Sequence, residues 1–452
     1  MNIAAISTPS GIGGIAVVRV SGPSAISICD KVYRPFKAGN TLASRKTHTL
    51  TYGQIIDPES GEVIDEVVAS VFRAPHSFTG EDVVEISCHG SLYIQQRILD
   101  VILSVEGIRL AEPGEFTRRA FRSGKMDLSQ AEAVADLIAA TTAASHRLAM
   151  SQMKGSISRK LDGLRVQLLN MTSLLELELD FSEEDVEFAD RSQLLSLAHQ
   201  IDDEVTRLAS TFSAGQAIKN GIPVAIIGAP NVGKSTLLNQ LLKDDRAIVS
   251  PIQGTTRDLI EDTITLGGYL FRFIDTAGIR DTSDQIEAMG IERSLRAAER
   301  AHIIILLSEP EVPFIDFEPR PDQEVIRIIN KSDLAASHDE TKSLMSDDSQ
   351  IIHLSALTGE GVAVLEQHLI ELARPVESQG DIVLTNRRHY EALNTAHDHL
   401  LRVSDGLTQQ LPGDLVAEDL RAVIDSLNSI LGKSITSQDT LNNIFKNFCV
   451  GK

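Results

Sequence analysis

The chain has 452 residues, 42% of them hydrophobic, with 63 acidic side chains against 42 basic ones and a formal net charge of −21. At roughly 150 residues per domain this predicts about three domains with real cores, and the charge excludes holding nucleic acid by bulk attraction, though not by a local basic patch. Three scattered cysteines, Cys29, Cys88 and Cys449, exclude a disulfide framework and point to a reducing compartment.

Met1 to Ile6 lacks the basic flank and long apolar core of a signal peptide, and no apolar run reaches the roughly 18 residues of a membrane span. A soluble, cytoplasmic protein with no membrane association is the expectation.

In chain order, Ile15–Val20, Val67–Phe72 and Val83–Ser87 read as strands and about Leu92 to Val105 as a helix, which predicts a small α+β domain over residues 1–120. Gly11-Ile-Gly-Gly14 lacks dinucleotide-loop spacing and reads as a turn. Cys88-His89 are adjacent on a strand, so their side chains diverge and a shared metal ion is disfavoured. Arg19 within an apolar strand and Glu81 in Phe78-Thr-Gly-Glu-Asp82 call for partners, because charges are rarely buried unpaired; structural ion pairs are the expectation for each. Arg118, Arg119, Arg122 and Lys125 read first as a solvated helix face and second as an anion or RNA contact.

From Asp127 to Leu179 the pattern is almost continuously helical, with a further run over about Leu194 to Phe212. Helical patterning returns over Asn386 to Val403, Val416 to Leu431 and Ser437 to Phe448. The economical architecture is one helical bundle, residues 121–217 and 376–452, interrupted by a domain at 218–375.

That insert opens on Gly228-Ala-Pro-Asn-Val-Gly-Lys-Ser235, a G-x-x-x-x-G-K-[ST] phosphate loop between an apolar strand and a helix. Its backbone N–H groups and the helix N-terminus favour phosphate; Lys234 reaches the β/γ-phosphates and the Ser235 hydroxyl ligates Mg²⁺. Asp275-Thr276-Ala277-Gly278 follows a strand, where the Asp holds the Mg²⁺ shell and the Gly278 N–H senses the γ-phosphate. Asn330-Lys331-Ser-Asp333 fits the guanine reader, in which Asp333 accepts from the base N1–H and exocyclic amine, so GTP is preferred over ATP. Ser355-Ala356 suits a backbone N–H contact to the base oxygen, and Thr255-Thr256 supplies the switch threonine on Mg²⁺. The residue after Gly278 is Ile279, which cannot orient water; Asp281, Asp284 and Glu287 are the carboxylate candidates for that role.

The closing Cys449-Val-Gly-Lys452, together with Val18-Arg-Val-Ser-Gly22, Phe78-Thr-Gly-Glu-Asp82, Pro113-Gly-Glu-Phe-Thr117 and Gly254-Thr-Thr-Arg-Asp258, resembles the MnmE (TrmE) family of tRNA-modification GTPases across the whole chain. The resemblance implies a multidomain α/β protein: an N-terminal α+β folate-binding and dimerising domain, and a helical domain interrupted by a Ras-like P-loop GTPase domain. It implies that, with an FAD- and NADH-using partner, MnmG, the protein installs an aminomethyl or carboxymethylaminomethyl group on C5 of the wobble uridine of certain tRNAs. The carbon would come from a reduced folate (5-formyl- or 5,10-methylene-tetrahydrofolate).

Arg19, Glu81, Lys125 and Lys452 fall on the family's folate-contacting positions. Asn231, Ser250, the Ile252 carbonyl and Thr255 match its K⁺ contacts, Ser250 standing where a threonine is expected. Mg²⁺ falls to Ser235 and Thr256. Glu287, in Ile286-Glu-Ala-Met-Gly290, matches the water-orienting glutamate, so Glu287 and Lys234 are the catalytic candidates, with Cys449 a third whose thiol is either nucleophilic or packed at the folate pocket. The implied GTP contacts run over Asn231, Val232, Gly233, Lys234, Ser235 and Thr236; Ser250, Pro251, Ile252, Gln253, Gly254, Thr255 and Thr256; Asp275, Thr276, Ala277 and Gly278; Asn330, Lys331 and Asp333; Ser355 and Ala356. Hydrolysis coupled to G-domain dimerisation in a homodimer completes the implied picture.

Overall fold

The computed structural model describes residues 1–37, 39–180, 190–242, 262–274, 297–334, 351–377, 382–434, 441, 444–445, 448 and 451. The chain divides into two compact units, one of Met1–Ala135, Gln152–Gln167 and Ile424–Lys452, the other of Asp136–Ser151 and Leu168–Val423.

The first unit is built on a seven-stranded sheet. Its elements are β1 (Asn2–Ile6), β2 (Ile15–Ser21), α1 (Ala25–Val32), β3 (Tyr33–Pro35), β4 (Thr49–Ile56), β5 (Val63–Phe72), β6 (Val83–His89), α2 (Leu92–Leu103), β7 (Ile108–Leu110) and α3 (Glu115–Arg122). The order is β3-β4-β5-β6-β2-β1-β7, antiparallel except for the parallel β1–β7 pair. Alternation decides the faces. Val18, Val20, Val67, Ala69, Val71, Val84 and Ile86 join residues of α1 and α2, including Ile28, Cys29, Ile98 and Ile102, in one core. Ile3 and Ala5 cluster instead with Phe116 of α3. Each strand anticipated from sequence is present, and β1, β3, β4 and β7 are additional; Thr51, Gly53 and Ile55 of β4 are buried, but Thr49, Thr51 and Gly53 dilute the apolar pattern that marks a strand.

The helical stretch after α3 is broken where one run was expected. It forms α4 (Leu128–Ala139), α5 (Ala143–Met153) and α6 (Ser156–Asp180). Thr142 and Ser145 exchange side-chain-to-backbone hydrogen bonds at the start of α5. Gly155, at φ +78°, takes the left-handed conformation that ends α5. The next run likewise divides at Thr211 into α7 (Arg191–Ser210) and α8 (Phe212–Asn220).

In the second unit, β8 (Ile222–Gly228), α9 (Lys234–Leu242), β9 (Asp262–Leu266), β10 (Tyr269–Phe273), β11 (Ile303–Ser308), β12 (Glu324–Ile329), β13 (Ile351–His353) and α10 (Val362–Glu377) form an α/β domain. Its six-stranded sheet has the order β13-β12-β11-β8-β10-β9, parallel except for the β9–β10 pair. The central strand β11 is buried at every position, as an interior parallel strand covered on both faces must be. Helices α11 (Arg387–Thr408) and α12 (Gly413–Leu431) follow, and α11 packs along α7. The described candidate nucleotide residues follow the carboxyl ends of β8 and β12 and the strand β13, the usual ligand position in such sheets.

Candidate nucleotide site and a polar cluster in the N-terminal unit

The phosphate loop leaves β8 at Gly228 and enters α9 at Lys234. Two of its residues adopt left-handed backbone, Asn231 at φ +63° and Gly233 at φ +96°. A Cβ at Gly233 would lie 2.3 Å from the Asn330 amide nitrogen, so this position is closed to any side chain. The Asn330 amide nitrogen donates to the Val232 carbonyl at 2.8 Å, and its oxygen accepts from the Ala356 N–H at 2.8 Å. One buried side chain thereby ties the phosphate loop to both guanine-reading segments. Ser355, fully buried, donates from its hydroxyl to the Asp333 carboxylate at 2.6 Å and fixes that carboxylate's rotamer. Lys331, at φ +61°, is ion-paired with Glu309 just beyond β11; spacing in the sequence carries no signal for that partner.

The Lys234 ammonium lies over the loop and donates to the carbonyls of Gly228 and Ala229 at 2.8 and 2.9 Å. Burial pushes its pKa down, and anionic phosphate oxygens are the groups that would restore the charged form. Ser235 is half-buried and Thr236 exposed at the start of α9. The structure therefore brings together Asn231 to Thr236, Asn330, Lys331, Asp333, Ser355 and Ala356. The remaining candidates, Ser250, Pro251, Ile252, Gln253, Gly254, Thr255, Thr256, Asp275, Thr276, Ala277, Gly278, Glu287, Cys449 and Lys452, lie outside the described residues, as do Ile279, Asp281 and Asp284.

In the N-terminal unit, Arg19 on β2 and Glu81 each have a partner, and the partners differ. Arg19 pairs with Glu85 across the β2–β6 register at 2.8 Å, donates to the Gly451 carbonyl at 3.3 Å, and lies over the rings of Phe78 and Phe116 at 5.8 and 5.5 Å. Glu81 accepts from Ser21 at 2.8 Å and from Arg119 at 2.9 Å. The buried Ser21 and Thr79 hydroxyls bond each other at 2.8 Å, and Ser123 donates to the Thr79 carbonyl at 2.7 Å. Lys125 is exposed and passes beside Gly80.

Behind this layer sits Glu115, which is 3% exposed and accepts two bonds from Arg109 at 2.7 Å, one from Arg119 at 3.0 Å and one from the Glu112 N–H at 2.9 Å. Burial alone would raise its pKa; the two arginines and the backbone donor outweigh that and hold it at about 2.

The expectation of a solvated face for the basic run at 118–125 is corrected here. Arg118 bonds Glu112 at 2.7 Å and Arg119 bonds both Glu81 and Glu115, so both are largely buried and their charges are compensated; Arg122 and Lys125 alone are exposed. Spacing alone reads these arginines as a face, but Glu112 just before the helix, Glu115 on it and Glu81 from another segment compensate two of them. Cys88 and His89 diverge as adjacent strand residues must: the thiol is buried and pushed up to about 11, chiefly by burial, while the exposed His89 ring bonds Asp65 at 2.7 Å. Among the described residues no group of His, Cys, Asp and Glu is arranged to hold a metal, and no helix is long and apolar enough to cross a membrane.

A phosphate loop and a guanine reader locked together by Asn330, within an α/β domain flanked by helices, define a P-loop nucleotide-binding protein of the GTPase class. Residues 2–125 match the family model described as GTP-binding protein TrmE N-terminus, and residues 128–449 the one described as MnmE helical domain. The chain is 56% identical over its full length to the tRNA modification GTPase MnmE of Parabacteroides distasonis, covering 99% of that protein. It is 50% identical to the protein of that name from Bacteroides thetaiotaomicron, with 100% of this chain and 99% of that one covered. For Porphyromonas gingivalis the identity is 46%, covering 100% of this chain and 98% of its relative. The chain belongs to the MnmE (TrmE) family.

Proposed function

We propose that this protein hydrolyses GTP in the service of tRNA modification, and that it works at C5 of a wobble uridine with an FAD-dependent MnmG partner and a reduced folate as carbon donor. The observation that carries the GTP half is the Asn330 bridge, which couples phosphate binding to guanine reading in one hydrogen-bonded unit. The family membership carries the tRNA half.

In this reading Lys234 releases the loop carbonyls to engage the β/γ-phosphates, and Ser235 with Thr256 holds Mg²⁺. Asn231, Ser250, the Ile252 carbonyl and Thr255 hold K⁺. These cations supply positive charge beside the phosphates as negative charge develops there. The left-handed backbone of Asn231 and its exposed side chain suit a ligand at the loop's outer edge. Glu287 orients the attacking water in place of a glutamine, since Ile279 cannot.

Arg19, Glu81, Lys125 and Lys452 form the folate contacts in this reading, which is supported by Arg19 lying over two aromatic rings and bonding the Gly451 carbonyl beside Lys452 in the chain. Residues 1–120 then serve folate binding and homodimerisation, 218–375 the GTPase cycle, and 121–217 with 376–452 the helical frame that brings Cys449 to the folate pocket. The protein would act in the cytoplasm.

The test compares GTP turnover in K⁺ and in Na⁺ at equal ionic strength for the wild type and Glu287→Ala. Stimulation by K⁺ of about tenfold or more, lost in the variant, is expected. Equal wild-type rates in the two salts would overturn the potassium mechanism.

A further inference from the structure

In the basic run singled out by spacing, Arg118 and Arg119 are neutralised by nearby acids, whereas a different basic segment meets no such acids among the described residues. From Lys31 to Ile56 the chain contains no Asp or Glu, but it carries Lys31, Arg34, Lys37, Arg45 and Lys46. Arg73 folds onto the same region: its guanidinium donates to the carbonyls of Arg45 at 3.0 Å and Ala43 at 2.7 Å, and its own N–H bonds the Thr47 hydroxyl at 3.0 Å. The Arg45 guanidinium reaches the Thr51 hydroxyl at 3.4 Å. These arginines are held by neutral acceptors, which orient a guanidinium without cancelling its charge. Among the described residues none of the six has a carboxylate ion-pair partner. The acids bonded into this region are Asp30, Asp82 and Glu66. Asp30 takes the N–H groups of Leu42 and Ala43, Asp82 that of Ala74, and Glu66 the Tyr52 hydroxyl, so each of these carboxylates is engaged by a neutral donor.

Beside these cations an aromatic pair faces outward. Phe36 and Tyr52 are 53% and 54% exposed, with ring centroids 4.8 Å apart. Arg34 is exposed on edge strand β3, in register with Gln54 two residues along from Tyr52. The exposed His48 and His76 rings lie 6.5 Å apart in the same region. Uncompensated guanidinium and ammonium groups next to an exposed ring pair are the elements of a surface that tracks a phosphodiester backbone and stacks an unpaired base.

We propose that the segment from Lys31 to Tyr52, with Arg73, is an RNA-docking surface for the tRNA substrate. On a chain of net charge −21 such a patch must supply the local attraction that the rest of the molecule withholds. The proposal rests on the tRNA reading above.

The test measures binding of an unmodified tRNA transcript by fluorescence anisotropy across a salt series, using the full chain. The triple variant Arg34→Ala, Lys37→Ala, Lys46→Ala removes exposed charges without touching the guanidinium–carbonyl bonds; Phe36→Ala removes half of the ring pair. The expected triple-variant result is an affinity at least about tenfold weaker near 0.1 M salt and a log–log salt slope shallower by roughly 2. Phe36→Ala is expected to weaken binding several-fold with the slope unchanged. GTP turnover without RNA stays at the wild-type rate in both variants. A control, Arg207→Ala with Arg387→Ala, removes two ion-paired surface cations and is expected to leave binding intact.

A wild type that binds tRNA, with the triple variant matching it in affinity and slope, overturns this surface. So does a control that weakens binding as much as the triple variant. A triple variant that keeps tRNA affinity but no longer binds the FAD-dependent partner overturns the RNA assignment in favour of a protein contact. A wild type with no tRNA affinity, alone or with that partner, overturns the tRNA reading itself.

Discussion

Asn330 illustrates how much one buried amide does in this site. It bonds the phosphate loop through its nitrogen and the last guanine segment through its oxygen, and it stands where a Cβ on Gly233 would collide with it. Gly233→Ala therefore has two costs, a side chain at φ +96° and a displaced Asn330 that leaves the Val232 carbonyl without its donor. One buried group left unbonded costs about 1–3 kcal/mol, so GTP and GDP affinity should fall by on the order of tenfold or more, measured with a fluorescent guanine nucleotide. Unchanged affinity would mean that the loop tolerates a different path. Glu115 makes the second residue-scale prediction. Its folded pKa of about 2 lies below the ordinary glutamate value of 4.5. Its ion pairs thus stabilise the fold fully above about pH 4.5, and that contribution drains away as pH falls toward about 2. Glu115→Gln should lower stability at neutral pH and flatten the acid limb of a melting-temperature profile over that window. The chain has no tryptophan, so circular dichroism is the natural readout.

Between elements, the telling feature is how the chain enters and leaves the α/β domain. Incoming helix α8 and the outgoing segment 382–386 are stapled together. Thr211 accepts from the Leu384 N–H at 3.1 Å, and Gln216 donates to the Thr385 carbonyl at 2.7 Å. Asp136, near the end of α4, grips both, pairing with Lys219 of α8 at 2.7 Å and accepting from the Thr385 hydroxyl at 3.3 Å. Two chain crossings far apart in the sequence are one joint. Asp136→Ala should raise amide hydrogen exchange in 212–220 and 382–386 together, at a cost of roughly 1–3 kcal/mol, because both lose a shared partner. Protection lost in one segment alone would show that the joint is not shared. The helix breaks at Thr142, Gly155 and Thr211 belong to the same scale. Apolar periodicity runs through them unchanged, so periodicity cannot reveal them; the Thr142–Ser145 cap and the left-handed Gly155 do.

Across the whole molecule, charge is distributed against its own average. A net −21 describes the chain, while Lys31 to Ile56 carries only basic charges and Arg118 and Arg119 of α3 are neutralised by nearby acids. High salt should accordingly weaken RNA docking far more than it weakens GTP binding, since exposed charges are screened and the Asn330 unit is buried.

The amino-acid sequence alone determined the nucleotide chemistry, because a phosphate loop is local: its glycines, lysine and serine act within a few residues of chain, and the strand before and the helix after are written in the same stretch. Three of the seven strands of the N-terminal sheet, β2, β5 and β6, and the family likeness were legible for similar reasons. The tertiary structure alone decided which charges are free. Arg119 is neutralised by Glu81 and Glu115, Arg19 by Glu85, and Lys331 by Glu309, and most of these partners come from segments far apart in the chain. Lys37 and Lys46 meet no such acid among the described residues. A motif records which groups a chain has; only folding brings distant opposite charges within a few ångströms, where pairing settles which of them remain for a partner.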